Sequence, residues 1–337
     1  MLQLKIEAIK WETPDTGTFL LSEIHNKTIH YKAGQFITLV FGHHKEEIRR
    51  SYSLCSSPDE DLLAISVKRI TNGEISRFML SKLKPGDILN AVEPAGRFTI
   101  ADFSHSNEMF FFAAGTGIAP IFSQLKYALA RPGNSYFTLI YSNQDALSIL
   151  FRDELDTLAQ AHPDKLKVIY LLSSEGNRLN NVRVEQLVLE HVKLDMRKAE
   201  FYLCGPFAYM RMVRLTLLFM GIEPAQIRKE NFVVETVPVT GGARNYASGK
   251  VKIHFNGEVH DFIVGENQSI LQAALQNNIQ LPYSCRAGIC ATCVALCKSG
   301  EVIMTQNDVL TDSDLRAGWI LTCTGHPMGD DVEITFD

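Results

Sequence analysis

Four cysteines carry the clearest chemistry in this chain. Cys285, Cys290, Cys293 and Cys323 are spaced C-x4-C-x2-C-x29-C, the plant-type spacing of ligands to a [2Fe–2S] cluster. Two irons bridged by two sulfides need two protein ligands each, hence four thiolates. The segment Cys285-Arg286-Ala287-Gly288-Ile289-Cys290-Ala291-Thr292-Cys293 has mostly small residues between its ligands. Small side chains let the backbone wrap closely and aim N–H groups at the sulfurs. Zinc is the other use of four cysteines, although zinc sites more often pair two C-x2-C knuckles. Cys297 lies four positions past Cys293, but the remaining C-x2-C spacing and the proline of a bacterial four-iron motif are missing. It reads as a packed thiol on a strand, and Cys55 as a buried small hydrophobe.

Other residues suggest nucleotide chemistry. Gly115-Thr116-Gly117-Ile118-Ala119-Pro120 follows an apolar run and opens a helical pattern. Pro120 stands where a dinucleotide fingerprint has its third glycine. Proline suits the first turn of a helix, and the two glycines still free the backbone to approach a pyrophosphate at the helix N-terminus. In Arg49-Arg50-Ser51-Tyr52-Ser53, alternate residues of a strand share a face. Arg50 and Tyr52 therefore point together, a guanidinium and a ring suited to a flavin nucleotide, while Ser53 points away. Gly73-Glu74-Ile75-Ser76 opens another helix and offers a second phosphate cradle. Cys204-Gly205-Pro206 follows a strand. Taken singly, each piece has a plainer reading: a strand-to-helix turn, a solvated strand face, a buried thiol.

The elements that must position these residues follow from length and pattern. At roughly 100–200 residues per domain, 337 residues suggest two or three domains. The first hundred residues read as short strands (Leu2–Ile9, Phe36–Phe41, Ile48–Leu54, Leu63–Val67) with one helix, Ile75–Leu83, which points to a barrel. From Met109 onward, short apolar strands alternate with amphipathic helices, the pattern of a parallel sheet covered on both faces. Pro238, Gly241, Gly242 and Ser248 mark a linker. Beyond it, Asn256-Gly257 between alternating runs signals a hairpin, and Ser269 with Gln272 a capping box. The expected regions are a flavin-binding β-barrel over 1–105, a Rossmann-like α/β nucleotide domain over 106–235, a linker over 236–248 and a cluster domain over 249–337.

Composition excludes some function classes. The balance of 33 basic and 38 acidic side chains, with no block of like charges, disfavours nucleic acid as partner. No apolar run approaches the ~18 residues that span a bilayer, and MLQLKIEAIK alternates too regularly for a secretory signal. Seven cysteines, five of them between 285 and 323, fit metal or redox chemistry in a reducing compartment better than a disulfide framework. A cytoplasmic location follows as an expectation.

In combination, R-x-Y-S, G-x-x-S, G-T-G-x-x-P and C-G-P, in that order, resemble the ferredoxin–NADP reductase superfamily. The C-terminal segment resembles plant-type ferredoxins of β-grasp fold, and the whole resembles the reductase components of multicomponent oxygenases. The resemblance implies a multidomain α+β protein that moves electrons from NADH or NADPH through FAD and a [2Fe–2S] cluster. The acceptor would be an oxygenase component or another redox protein, such as a hybrid-cluster protein. Arg50 would meet the flavin pyrophosphate, Tyr52 the isoalloxazine ring, and Ser53 its reactive nitrogen, with Ser51 beside them. Val67 and Lys68 would offer backbone contacts, and Gly73 with Ser76 would cradle phosphate. Gly115, Thr116, Gly117, Ile118, Ala119 and Pro120 would hold the dinucleotide, and Cys204, Gly205 and Pro206 would edge the nicotinamide. Ser53 and Cys204 are thus the candidate catalytic residues, and Phe232 a candidate flavin contact. Cys285 and Cys290 would hold one iron, Cys293 and Cys323 the other. After the second apolar strand, Tyr141-Ser142-Asn143-Gln144-Asp145 lacks a cation for a 2′-phosphate, and Asp145 could accept from a ribose hydroxyl, favouring NADH.

Overall fold

A computed structural model of the chain describes residues 1–43, 46–100, 108–232 and 246–336. Its contacts divide it into two compact units, Met1–Glu230 and Asn231–Asp337. The expected boundary at 105/106 and residues 236–245 of the expected linker lie outside the described residues.

The first unit begins with six antiparallel strands: β1 (Leu2–Thr13), β2 (Thr16–Glu23), β3 (Phe36–His43), β4 (Glu46–Ser53), β5 (Leu63–Lys68) and β6 (Ile88–Ala95), in the order β4-β3-β6-β1-β2-β5. A bridge between Leu54 and Ile65 joins the two ends of that order and closes the barrel. Leu4, Ile6, Phe19, Leu21, Ile37, Leu39 and Ile65 fill it, all with no exposed surface. Helix α1 (Glu74–Lys82) packs Ile75 and Met79 against that core.

Five parallel strands follow: β7 (Glu108–Ala114), β8 (Tyr136–Asn143), β9 (Leu166–Leu172), β10 (Glu200–Cys204) and β11 (Ile227–Glu230), ordered β11-β10-β7-β8-β9. The chain goes from β7 outward to β9, then returns to the other side of β7. The strand order therefore reverses between β7 and β10, the switch point at which open α/β sheets bind ligands. Helices α2 (Ile118–Leu129), α3 (Arg152–Ala161), α4 (Asn181–His191) and α5 (Phe207–Phe219) make the crossovers. Strand β7 shows why a continuous apolar run reads as a central strand. Met109, Phe111 and Ala113 enter one core with α2 and α3, while Phe110 and Phe112 enter the other with α4 and α5.

The barrel and this sheet form one unit rather than two loosely joined domains, because a shared apolar core joins them. Cys55, Ala64 and Phe98 from the barrel side pack with Tyr202, Phe122 and Leu125. The Ser123 hydroxyl donates to the Ser56 carbonyl at 2.5 Å and Gln124 to the Phe98 carbonyl at 2.5 Å. Gly34, at φ +94°, lies where a Cβ would stand 2.1 Å from the Phe98 oxygen, so only glycine fits. Arg131 holds Asp59 with both terminal nitrogens, at 2.6 and 3.1 Å, on the rim. Such exposed pairs contribute about 1 kcal/mol or less; burial supplies most of the adhesion.

In the second unit β12 (Gly249–Phe255) and β13 (Glu258–Val264) form the expected hairpin, with Asn256 and Gly257 both at positive φ, as a tight two-residue turn requires. Helix α6 (Ile270–Gln276) is capped by the reciprocal Ser269–Gln272 bonds. Strands β14 (Val294–Ser299), β15 (Val302–Met304), β16 (Trp319–Leu321), β17 (Gly325–Pro327) and β18 (Val332–Thr335), with the short helix α7 (Asp312–Arg316), complete it. In the five-stranded sheet β13-β12-β18-β14-β16, the first and last strands, β12 and β18, lie side by side and parallel, and α6 packs Ile270, Leu271 and Ala274 on the face. This is the β-grasp arrangement. No helix among the described residues is long and apolar enough to cross a membrane.

Candidate functional site

The parity of β10 sets the first site. Tyr202 and Cys204 face the core shared with the barrel, while Phe201 and Leu203 face away. Cys204 therefore ends β10 on the barrel side, beside its register partner Glu230 on β11. From the barrel, Ser53 ends β4 and its buried hydroxyl donates to Glu230 Oε2 at 3.2 Å. Glu230 was not singled out as a site residue by sequence, yet it joins the two candidate catalytic residues. Burial pushes its carboxyl up to about 8, although the Ser53 bond pulls the other way. The acid is thus mostly protonated at neutral pH, a buried proton carrier rather than a charge. Burial, with the Glu230 carboxyl beside it, also holds the Cys204 thiol well above the usual range, so it stays an uncharged SH group.

On the barrel, Arg50 and Tyr52 share a face and Ser53 faces the other way, as alternation requires. Tyr52 is half-buried, and burial pushes its phenol up to about 12 despite the nearby Arg50. Arg50 is exposed, its guanidinium donating to the Arg49 carbonyl. Ser51 pairs its hydroxyl with Thr38 at 2.8 Å. Beyond the Leu54–Ile65 bridge no ladder covers the outer edge of β5 at Val67 and Lys68, among the described residues. The Ser76 hydroxyl receives the Ile70 N–H and donates to the Gly73 carbonyl. It shapes the turn before α1 instead of standing free, and Gly73 must be glycine because a Cβ would meet that hydroxyl oxygen at 2.6 Å.

At the switch point two loops interlock. Gly115–Gly117 forms a 3-10 turn with Gly115 at φ +54°, and α2 starts at Ile118. The side chains of Ile118, Ala119 and Pro120 are buried, so this stretch can serve a ligand only through its backbone and helix N-terminus. A Cβ on Gly117 would lie 2.2 Å from the Cys204 carbonyl oxygen, and one on Gly205 would lie 2.9 Å from Ala114 Cβ. Pro206 is exposed. Asp145, after β8, is turned into its own loop, where its carboxylate accepts the Ser148 N–H at 3.0 Å. Phe232 is exposed and follows the last residue of the first unit. The structure does not bring it to Ser53 and Cys204.

The four cysteines gather in the second unit. Cys285 lies within hydrogen-bonding reach of Cys290 and Cys323, and Cys293 within reach of Cys323. Sharing protons in this way draws Cys285 and Cys293 toward the thiolate and holds their partners as thiols. Backbone N–H groups point at the sulfurs, from Ala287 to Cys285 at 3.4 Å and from Cys285 to Cys290 at 3.5 Å. They can do so because Arg286, Gly288 and Ala291 all take positive φ, a left-handed geometry that costs a non-glycine residue of order 1–3 kcal/mol. Among the described residues no group of three or more His, Cys, Asp or Glu side chains is arranged to hold a single metal ion. Four sulfurs wrapped in amides fit a two-iron cluster better than one zinc. Cys297 sits half-buried on β14 with its thiol directed at the Ser299 carbonyl, 3.2 Å away.

Comparison with known proteins matches this division. Three family descriptions fit in order: "Oxidoreductase FAD-binding domain" over residues 3–100, "Oxidoreductase NAD-binding domain" over 111–215 and "2Fe-2S iron-sulfur cluster binding domain" over 253–328. The ferredoxin reductase component of 3-ketosteroid-9-alpha-monooxygenase from Rhodococcus rhodochrous is 32% identical, the alignment covering 99% of this chain and 96% of that protein. The chain belongs to the ferredoxin–NADP reductase superfamily, in the branch with a [2Fe–2S] ferredoxin domain. One of the subunits that make up the 1,2-phenylacetyl-CoA epoxidase of Escherichia coli, the system whose reductase the motif order suggests, is 29% identical over 99% of this chain and 97% of its own. The structure of phthalate dioxygenase reductase matches with a TM-score of 0.63 at 25% identity, covering 100% of this chain and 97% of that one. This reductase is an NAD(P)H-dependent electron-transfer oxidoreductase whose cofactors are FAD and a [2Fe–2S] cluster.

Two measurements test these sites. Cys293→Ser should strip the reductase of iron and visible cluster absorption, whereas Cys297→Ser should keep both; equal iron loss would show that Cys297 is also a ligand. For Glu230, the unfolded chain releases the proton near the ordinary glutamate value while the folded chain holds it up to about 8. That contribution is full below the unfolded value and is lost as pH rises through about 8. Urea unfolding at about pH 5 and pH 8.5 should therefore show wild type losing more stability than Glu230→Gln, which has no such proton. Parallel losses in both chains would mean that Glu230 is already ionised when folded.

Proposed function

We propose that this reductase takes hydride equivalents from NADH and delivers single electrons to the oxygenase component of a multicomponent oxygenase in the cytoplasm. The observation that carries the reading is the meeting of Ser53, Cys204 and Glu230 at the switch point, with four cysteines in a separate unit. Reductase relatives of a ketosteroid monooxygenase and a phenylacetyl-CoA epoxidase support an oxygenase as acceptor, with an epoxidase of phenylacetyl-CoA as one candidate.

When bound, FAD supplies the exchange between a two-electron donor and a one-electron carrier, and the cluster is that carrier. Arg50 holds the flavin pyrophosphate, and Gly73, with the turn that Ser76 braces, offers α1's free N–H groups to phosphate. Tyr52 covers the ring, and the open edge at Val67 and Lys68 gives it backbone partners. Ser53 and Cys204 face the reacting end of the donor, and the neutral Glu230 keeps a proton beside them. The turn Gly115–Pro120 takes the dinucleotide pyrophosphate, with Gly205 and Pro206 closing the nicotinamide end. Cys285 and Cys290 hold one iron, Cys293 and Cys323 the other.

NADH is the expected donor, since no cation stands in Tyr141–Asp145 to meet a 2′-phosphate. Steady-state kinetics should give the larger kcat/KM with NADH, and an equal or larger value for NADPH would reverse the assignment. Modularity offers the wider test. A chain stopped near Gly242 keeps the cores of the first unit and every residue proposed for FAD and NADH except those of the cluster. It should still reduce ferricyanide with NADH, but lose delivery to the oxygenase. Full-rate delivery by a folded, flavin-loaded truncated chain would overturn the cluster as the exit.

A further inference from the structure

The Gly115–Gly117 turn has an anchor that its sequence does not reveal. Tyr141, on β8, is fully buried and its hydroxyl donates to the Gly115 carbonyl at 3.0 Å. The same carbonyl accepts the Ile118 N–H that closes the 3-10 turn, so both of its lone pairs are engaged. A trans peptide is planar, with C=O and N–H on opposite sides. Fixing the Gly115 oxygen toward Tyr141 therefore turns the Thr116 N–H the other way, on a turn whose Gly115 and Thr116 are only half-buried. An N–H at this position has no partner within the helix.

The phenol is itself held in place. Its oxygen accepts the Leu150 N–H at 3.3 Å, from the segment that follows β8 and leads into α3. Burial raises the Tyr141 phenol above its ordinary value, so it remains a donor. A second tyrosine braces the neighbouring residue: the Tyr209 hydroxyl donates to the Ala113 carbonyl at 3.1 Å and faces the Ser142 hydroxyl at 3.4 Å.

We propose that Tyr141 is a positioning residue for the dinucleotide, its hydroxyl holding the Gly115 carbonyl so that the Thr116 N–H faces the pyrophosphate. The inference rests on the reading of Gly115–Pro120 as the donor's pyrophosphate site. Tyr141→Phe removes only the hydroxyl. Tyr170→Phe is the control, since Tyr170 on the next strand bonds Asp156 on α3 instead, at 2.8 Å.

The experiment uses the full-length, flavin- and cluster-loaded protein. ADP-ribose, which carries the pyrophosphate but no nicotinamide, is titrated by calorimetry, and KM, kcat and thermal unfolding are measured alongside. Losing one buried hydrogen bond should weaken ADP-ribose binding by about five- to tenfold in Tyr141→Phe. KM for NADH should rise by a similar factor, while kcat stays within about twofold and flavin and iron contents are unchanged. Tyr170→Phe should bind ADP-ribose as wild type does. Unchanged binding in Tyr141→Phe would overturn the proposal, as would equal weakening in Tyr170→Phe, which would mean a general loosening of the sheet. A wild-type chain that does not bind ADP-ribose would overturn the donor-site reading itself, and the proposal with it.

Discussion

A carboxyl group is costly to bury unless it is neutral or paired, and Glu230 is buried where the barrel meets the parallel sheet. The Ser53 hydroxyl is its hydrogen-bonding partner, reaching across from the end of β4. That single bond requires the end of β4 and the end of β11 to meet in one register. The registry in turn depends on the apolar core that joins the barrel to the sheet, on Gly34 permitting the Phe98 carbonyl to approach, and on Gln124 and Ser123 donating to barrel carbonyls. The two layers hold a protonated acid, a hydroxyl and an uncharged thiol together in a dry place. Such a site can keep or pass a proton without carrying a charge that would repel an electron-rich ring.

The second unit solves a different electrostatic problem. Four sulfur ligands concentrate negative charge, and the loop answers with backbone N–H groups instead of cationic side chains. Turning those amides inward requires left-handed backbone at Arg286, Gly288 and Ala291. At Gly288 glycine is also demanded by space, since a Cβ would meet the Gln306 carbonyl at 2.5 Å. Thr322 ties the loop to the strand that brings in Cys323, its N–H and hydroxyl both donating to the Cys293 carbonyl at 3.1 Å. Strain in the loop is thus opposed by bonds to its surroundings and is available to hold the sulfurs in place before metal arrives.

Much of this was legible in the residues. The cysteine spacing, the Asn256-Gly257 turn and the Ser269–Gln272 cap each depend on local geometry, and local geometry leaves a short signature. The apolar strand β7 was readable because both of its faces are buried. Other features were not readable because their cause lies far along the chain. Strand β2 is buried on both faces through most of its length, so it lacks the alternation that marks a half-exposed strand. Glu230 looks like any glutamate at a strand end until Ser53, 177 positions away, is seen beside it. Ile118, Ala119 and Pro120 lie within a recognisable motif, yet only the fold shows that their side chains belong to the core. Asp145 has the right chemistry for a ribose, but the fold shows that chemistry already engaged in its own turn.

The engagement of Asp145 bears on how such a chain could change its source of reducing power. Accepting a phosphorylated ribose calls for a cation near the end of β8, and Asp145 is an obvious place to put one. There, however, the carboxylate caps the turn that leads to Leu150, whose amide in turn holds Tyr141. Replacing the acid removes a cap and loosens the segment that steadies the glycine turn. An exchange of donor would therefore meet resistance from folding before it met any from chemistry. The smoother evolutionary route passes through Gln144, one position earlier, or through residues beyond the turn, leaving the cap in place.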